Sequence, residues 1–131
     1  MELGTSLPED ALMAKVTAEI LLEIKAAYFN VEKPFIFTSG WASPVYIDCR
    51  WVISFPEARQ RIIELACGKL DREVGFDTID AVAGGETAGI PYAAWVADAL
   101  MLPMCYIRKK PKGFGRNARI EGALEEGQNV L

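Results

Sequence analysis

The sequence predicts an α/β fold, a parallel sheet flanked by helices and preceded by an N-terminal helix and a hairpin region. Three observations lead there. A short strand pattern, Thr78 to Ala83, runs into Gly84-Gly85-Glu86-Thr87-Ala88-Gly89 and then into a helical stretch from about Ile90 to Leu100. Pro103-Met104-Cys105-Tyr106-Ile107 follows as a continuous apolar run, as in a strand buried on both faces, and completes a β-α-β unit with a right-handed crossover. The chain has 131 residues, 51% of them hydrophobic, which is enough apolar material for a core of its own.

The remaining elements follow in order. Ser6 to Glu9 reads S-x-x-E with Pro8 in the first turn, and Leu12, Val16, Ile20 and Ile24 recur every four residues. That pattern predicts an amphipathic helix running to about Tyr28. Phe35 to Thr38 and Val45 to Arg50 read as two strands around the turn-rich Ser39-Gly40-Trp41-Ala42-Ser43-Pro44, a hairpin-like unit. Ser54-Phe55-Pro56-Glu57 is a second capping box with proline in the first turn. Ile62, Ile63, Ala66, Leu70 and Val74 then give a core stripe, so a second long helix extends to Gly75. Near the end, Ala118 to Gly122 and Gln128 to Leu131 look like strand beginnings separated by a turn at Leu124 to Gly127. The expected division lies near residue 76, between an N-terminal region, 1–75, and an α/β core, 76–131. Stopping on the opening residues of an apolar strand leaves an unfinished edge, so the C-terminal part of the core is expected to be missing.

Composition removes several classes of function. There are 14 Lys+Arg against 18 Asp+Glu, so no overall positive field draws the chain to nucleic acid or to an anionic membrane. The absence of histidine excludes Ser-His and Cys-His pairs and the commonest zinc ligands. Cys49, Cys67 and Cys105 are widely spaced without a C-x-x-C pair, which suggests neither a disulfide framework nor a metal knuckle and fits a reducing cytoplasm. The first residues lack the basic and apolar regions of a signal peptide. Ala88 to Ile107 is apolar and about long enough to span a bilayer at ~20 residues. Pro91, Asp98 and Pro103 argue against that, leaving a buried helix followed by a buried strand.

Three segments could carry chemistry. Gly84 to Gly89 lies at a strand-to-helix turn, where glycines permit close approach and the helix start favours a phosphate; it also reads as a tight turn needing glycine for geometry alone. Arg108-Lys109-Lys110-Pro111-Lys112-Gly113-Phe114-Gly115-Arg116-Asn117-Ala118-Arg119 gathers six cations with no acid among them, at the carboxyl end of a core strand. Ligands bind at that edge of open parallel sheets, and glycines with basic groups make a cationic lid suited to polyphosphate; the alternative is a solvated loop basic by chance, and the clustering of six cations in an otherwise acidic chain favours the lid. One basic loop without a wider basic face is too small a footprint for nucleic acid. The third is Phe37 to Arg50, where hydroxyls, amides and an aromatic at a turn could clasp a flat polar ring.

In order, F-T-S-G-x-x-S-P-x-Y-I-D-C-R, G-G-E-T-A-G-I-P-x-A and Y-I-R-K-K-x-K-G-F-G-R-N-A-x-I-E-G resemble the orotate phosphoribosyltransferases, with the match covering roughly residues 28 to 131. The resemblance implies a type I phosphoribosyltransferase fold and transfer of phosphoribosyl from phosphoribosyl pyrophosphate to orotate, with magnesium, giving orotidine 5′-monophosphate and pyrophosphate. It places Arg108, Lys109 and Lys112 on the pyrophosphate-gripping loop, Thr87 and Ala88 on the pyrophosphate turn, and Thr38, Tyr46 and Ile47 at the orotate. It also implies a homodimer whose basic loop reaches the neighbour's site. Some members have lysine at the positions of Thr38 and Ala88 and histidine at that of Phe114. The family's acidic strand and T-T-G turn, which hold the ribose and 5′-phosphate, are not found, so this polypeptide alone is expected to have little or no transferase activity. The alternative is a ligand-binding regulator built on the same fold; the intact Arg108 to Lys112 run favours the enzyme.

Overall fold

The computed structural model describes residues 9–113 and 118–131. Ser6 and Pro8 of the first capping box, and Phe114 and Arg116 of the basic run, lie outside them. The chain divides into two compact units, Met1–Ile62 and Ile63–Leu131, so the boundary falls inside a helix.

In the first unit, helix α1 spans Glu9–Glu23. It stops short of the expected Tyr28 because Lys25 turns left-handed, at φ 60. Ala26 N–H then donates to Leu21 O at 2.9 Å and Lys25 N–H to Leu22 O at 3.1 Å, a helix-ending turn made without glycine. Trp51 Nε1–H donates to Ile24 O at 2.9 Å and satisfies another carbonyl at that end.

The expected hairpin is replaced by two small antiparallel ladders. Strand β1, Ala27–Phe29, pairs with β4, Val45–Ile47, and β2, Phe35–Ile36, pairs with β3, Ala42–Ser43. The chain changes partner at Ser43-Pro44. Pro44 has no N–H to continue a ladder with β2, while its carbonyl accepts from Asn30 N–H at 2.8 Å and extends the pairing with β1. Nor does the last strand reach Arg50. Asp48 Oδ1 accepts from Arg50 N–H at 3.0 Å and caps a 3-10 helix, Cys49–Ser54, which seats Val52 in the interior at 1% exposure. Helix α2, Pro56–Glu73, begins on its proline and ends with Gly75 at φ 83.

In the second unit the strand expected at Thr78 to Ala83 starts later. Phe76–Thr78 forms a 3-10 turn, and β5 runs Val82–Gly85, so two of the glycines are strand residues. Helix α3, Gly89–Leu100, and β6, Met104–Ile107, complete the β-α-β unit, with β5 and β6 parallel. The apolar stretch is thus broken between a helix and a strand, and no helix among the described residues is long and apolar enough to cross a membrane. Strand β7, Ile120–Glu121, adds antiparallel to β6. Along the other side of β5, Leu131 N–H donates to Ala81 O at 3.0 Å and Ala83 N–H to Leu131 O at 2.9 Å, a parallel pairing of the last residues. Val82, Ala93 and Ala97, with Val96, Leu102 and Met104 against them, form the core where α3 covers the strands.

Candidate functional site

Parallel pairing decides where the basic residues emerge. In the β5–β6 register Gly85 stands opposite Ile107, so the segments that leave these strands, Glu86 to Ala88 and Arg108 to Gly113, open at the same carboxyl edge. Two hydrogen bonds join them: Glu86 N–H donates to Ile107 O at 2.8 Å, and Lys109 N–H donates to Glu86 Oε2 at 2.8 Å. Glu86 and Arg108 to Gly113 line an open cavity of about 560 Å³.

The glycines have different tasks. A Cβ on Gly84 would stand 2.7 Å from Gly89 O and 2.8 Å from Ala93 Cβ, so this residue lets α3 approach the strand; a Cβ on Gly85 would meet nothing within 4 Å. The geometric reading of the glycine run therefore holds at Gly84. The turn open to a ligand is Glu86-Thr87-Ala88, with Thr87 and Ala88 exposed at the start of α3, a twelve-residue helix whose positive dipole end faces this edge.

The basic segment continues the β6–β7 ladder. Arg108 N–H donates to Arg119 O at 2.8 Å, Arg119 Nε returns a bond to Arg108 O at 3.1 Å, and Lys112 N–H donates to Ala118 O at 3.3 Å. Glu121 on β7 forms an ion pair with Lys112, its Oε1 lying 2.8 Å from Nζ, and stands 3.9 Å from Arg108 Nη1. Lys109 and Lys110 are exposed, and their amines have no partner among the described residues. Thus Arg108, Lys109 and Lys112 line the open cavity together with Glu86, while Thr87 and Ala88 leave the same sheet edge without lining it. Glu86 and Glu121, the acids that hold this arrangement, were not picked out by sequence reasoning. The clue was their placement, one inside the glycine run and one just past the cations.

The proposed ring-binding residues lie in the other unit. Tyr46 is half-buried among Phe35, Tyr28 and Phe37, with ring centroids 5.8, 6.2 and 6.3 Å away. These rings, with Ile36, Asp48 and Arg50, line a cavity of about 380 Å³. Arg50 Nε donates to Asp48 Oδ1 at 2.9 Å and its Nη2 to Tyr46 Oη at 3.3 Å. The guanidinium hydrogen bond holds the Asp48 carboxyl below the usual carboxylate range, and Asp48 in turn raises Arg50 further. Thr38 and Ile47 are exposed and do not line this cavity. A larger cleft of about 650 Å³, between the end of α1 and the start of α2, carries none of the candidate residues.

Comparison with known proteins bears on this arrangement. The chain is 54% identical over 127 residues to the orotate phosphoribosyltransferase of Rhizobium johnstonii, a match covering 97% of this chain and 56% of the relative. It is 55% identical over 126 residues to that of Dinoroseobacter shibae, covering 96% and 56%. The chain is a homologue of the orotate phosphoribosyltransferases. It spans a little over half the length of these curated relatives. No family model matches it. Among solved structures, Leishmania donovani UMP synthase superposes with a TM-score of 0.68 at 26% identity, covering 88% of this chain and 23% of that one. The Aeropyrum pernix orotate phosphoribosyltransferase gives 0.61 at 28% identity, covering 74% and 56%. The Saccharomyces cerevisiae adenine phosphoribosyltransferase, at 24% identity and a TM-score of 0.60, shares the fold over 86% of this chain and 68% of its own. The fold is that of the type I phosphoribosyltransferases, as the resemblance of the three motifs implies.

Proposed function

We propose that this chain supplies the orotate-holding and diphosphate-gripping residues of an orotate phosphoribosyltransferase, which transfers phosphoribosyl from phosphoribosyl pyrophosphate to orotate in pyrimidine synthesis. The observation that carries the proposal is the convergence of Arg108, Lys109 and Lys112 on the sheet edge that presents Thr87 and Ala88. Breaking the glycosidic bond leaves negative charge on the departing diphosphate. Fixed cations and a helix start placed where that charge develops lower the barrier without further reorganisation. Lys109, whose amine is exposed, is assigned the main contact, with Arg108 and Lys112 beside it. Thr38 and the backbone of Tyr46 and Ile47 are assigned to orotate.

Magnesium enters this proposal as a companion of the diphosphate. Among the described residues no three Asp, Glu, Cys or His groups converge into a metal site, and none of the steps assigned here passes through the ion. The active form is proposed to be a cytoplasmic homodimer in which the basic segment serves the neighbouring copy.

The test is titration calorimetry of the 131-residue chain with inorganic pyrophosphate. Lys109→Met is expected to weaken binding about tenfold, the scale of one charge-assisted hydrogen bond. Equal affinity in the two proteins refutes the assignment. Turnover of orotate by this chain alone is expected to be little or none, because the acidic strand and Thr-Thr-Gly turn that the family uses for the ribose phosphate are not among its residues.

A further inference from the structure

Resting on that reading, we infer that Glu121 is the resting counterion of the diphosphate-gripping cations, a carboxylate that holds Lys112 in place and that the diphosphate must displace. In the β6–β7 register Glu121 stands opposite Tyr106. Arg108, two residues beyond Tyr106 and just past the end of β6, is therefore its diagonal neighbour. The strand pairing thus brings one acid to two of the cations: Lys112 Nζ lies 2.8 Å from Glu121 Oε1 and Arg108 Nη1 3.9 Å from the same oxygen. The side chains are only 26% exposed for Glu121 and 37% and 30% for Lys112 and Arg108, so solvent screens the group less than an open surface pair. Arg108 Nε, in the same group, is buried and has no hydrogen-bond partner among the described residues.

A carboxylate and a phosphate present the same kind of acceptor to an ammonium group. The ammonium has three N–H donors, but a diphosphate brought to Lys112 is repelled by the Glu121 carboxylate 2.8 Å from the amine and must draw the amine away from it. Its affinity is therefore reduced by the strength of that bridge. Glu121 consequently acts on the ligand through Lys112, as a positioning residue, and its removal has a sign opposite to that of damage: affinity rises.

The experiment uses the 131-residue chain with inorganic pyrophosphate as the probe, at low salt. Glu121→Gln keeps the shape and removes the charge, and is expected to tighten binding about two- to fivefold, the range of a partly exposed ion pair. Glu121→Asp, which restores the charge, is expected to return affinity toward that of the parent. In a Lys112→Met background Glu121→Gln is expected to give no gain. Glu121→Gln binding as the parent does, or more weakly, while Lys112→Met weakens binding, overturns the inference and leaves the diphosphate role standing. If Lys109→Met and Lys112→Met both bind as the parent does, the diphosphate role fails, and the counterion with it. Should Glu121→Gln not fold, the Glu121 carboxyl carbon resonance of the parent chain gives the same answer. It is expected to shift as pyrophosphate is added and to stay still in Lys112→Met; a stationary resonance in the parent overturns the inference.

Discussion

Adding one methyl group at Gly84 tests the packing that sets the candidate site. The Cβ of Gly84→Ala would stand 2.7 Å from Gly89 O, where ordinary contact begins at 3.4 Å, so about 0.7 Å must be found. Its other neighbours are Ala93 Cβ at 2.8 Å and Gly89 C at 3.0 Å, both on α3, so no flexible side chain can swing aside. Overpacking of a close-packed contact costs about 1–3 kcal/mol. The rigid neighbours put this case near the upper end, and the entropy that alanine removes from the unfolded chain returns about 0.4–1 kcal/mol. A net loss of about 2 kcal/mol remains. With a urea slope of about 2 kcal/mol/M, the midpoint falls by about 1 M. Trp95 lies on α3, 5.9 Å from Tyr92 in an edge-on ring pair, and its fluorescence reports this unit. Gly85→Ala is the control, because its Cβ would meet nothing within 4 Å, and it should stay within about 0.5 kcal/mol of the parent. An unchanged midpoint for Gly84→Ala, or equal damage at Gly85, would refute the claim that Gly84 is there for helix approach.

Two further expectations concern the first unit. Trp51→Phe keeps a ring against Phe55 but removes the donor to Ile24 O, and should lower stability by about 0.5–1 kcal/mol in urea denaturation; no loss would show that water caps α1 equally well. Asp48 gives a pH signature. Its folded-state pKa is lowered, so the stability it contributes is present above the ordinary carboxylate value of about 3.9 and is lost as pH falls through the lower folded value. Asp48→Asn retains a cap for the 3-10 helix but has no charge to titrate, so its urea midpoint should fall less steeply than the parent's below about pH 4. Parallel pH profiles would remove Arg50 as the cause.

How far the residues alone reach depends on the range of the interactions that decide each element. The β-α-β unit was readable because it rests on local signals: a helix period, a buried apolar run and glycines between them. Even there, the reason for Gly84 was not local, since it depends on Ala93 and Gly89 lying against the strand. The hairpin misled because Phe35 to Thr38 and Val45 to Arg50 have strand character without revealing their partners. Pro44 and the chain around Ala26 decide the pairing, and β1 itself was hidden inside the expected tail of α1. Lys25 is the residue that defeats a propensity reading, a lysine in the left-handed conformation where glycine would have announced the end. The cations were conspicuous because they are segregated in sequence. The carboxylates that hold them were not, because an acid's role depends on the neighbour that a strand register brings to it.

That difference bears on what the basic run is for. A loop that is basic only for solubility has no reason to be anchored, and its cations would point into water without acids set against them. Here the cations start where a parallel strand must end. One of their backbone amides is bound by the acid of the glycine turn, and the carboxylate of Glu121 holds Lys112. Each contact costs the chain side-chain freedom, which a merely solvated loop would keep. An edge where helix start, glycine turn and held cations meet is instead what a site needs if it must be assembled before its anion arrives. The counterion experiment measures the balance in that assembly, because Glu121 both holds Lys112 at the edge and opposes the anion that Lys112 would bind.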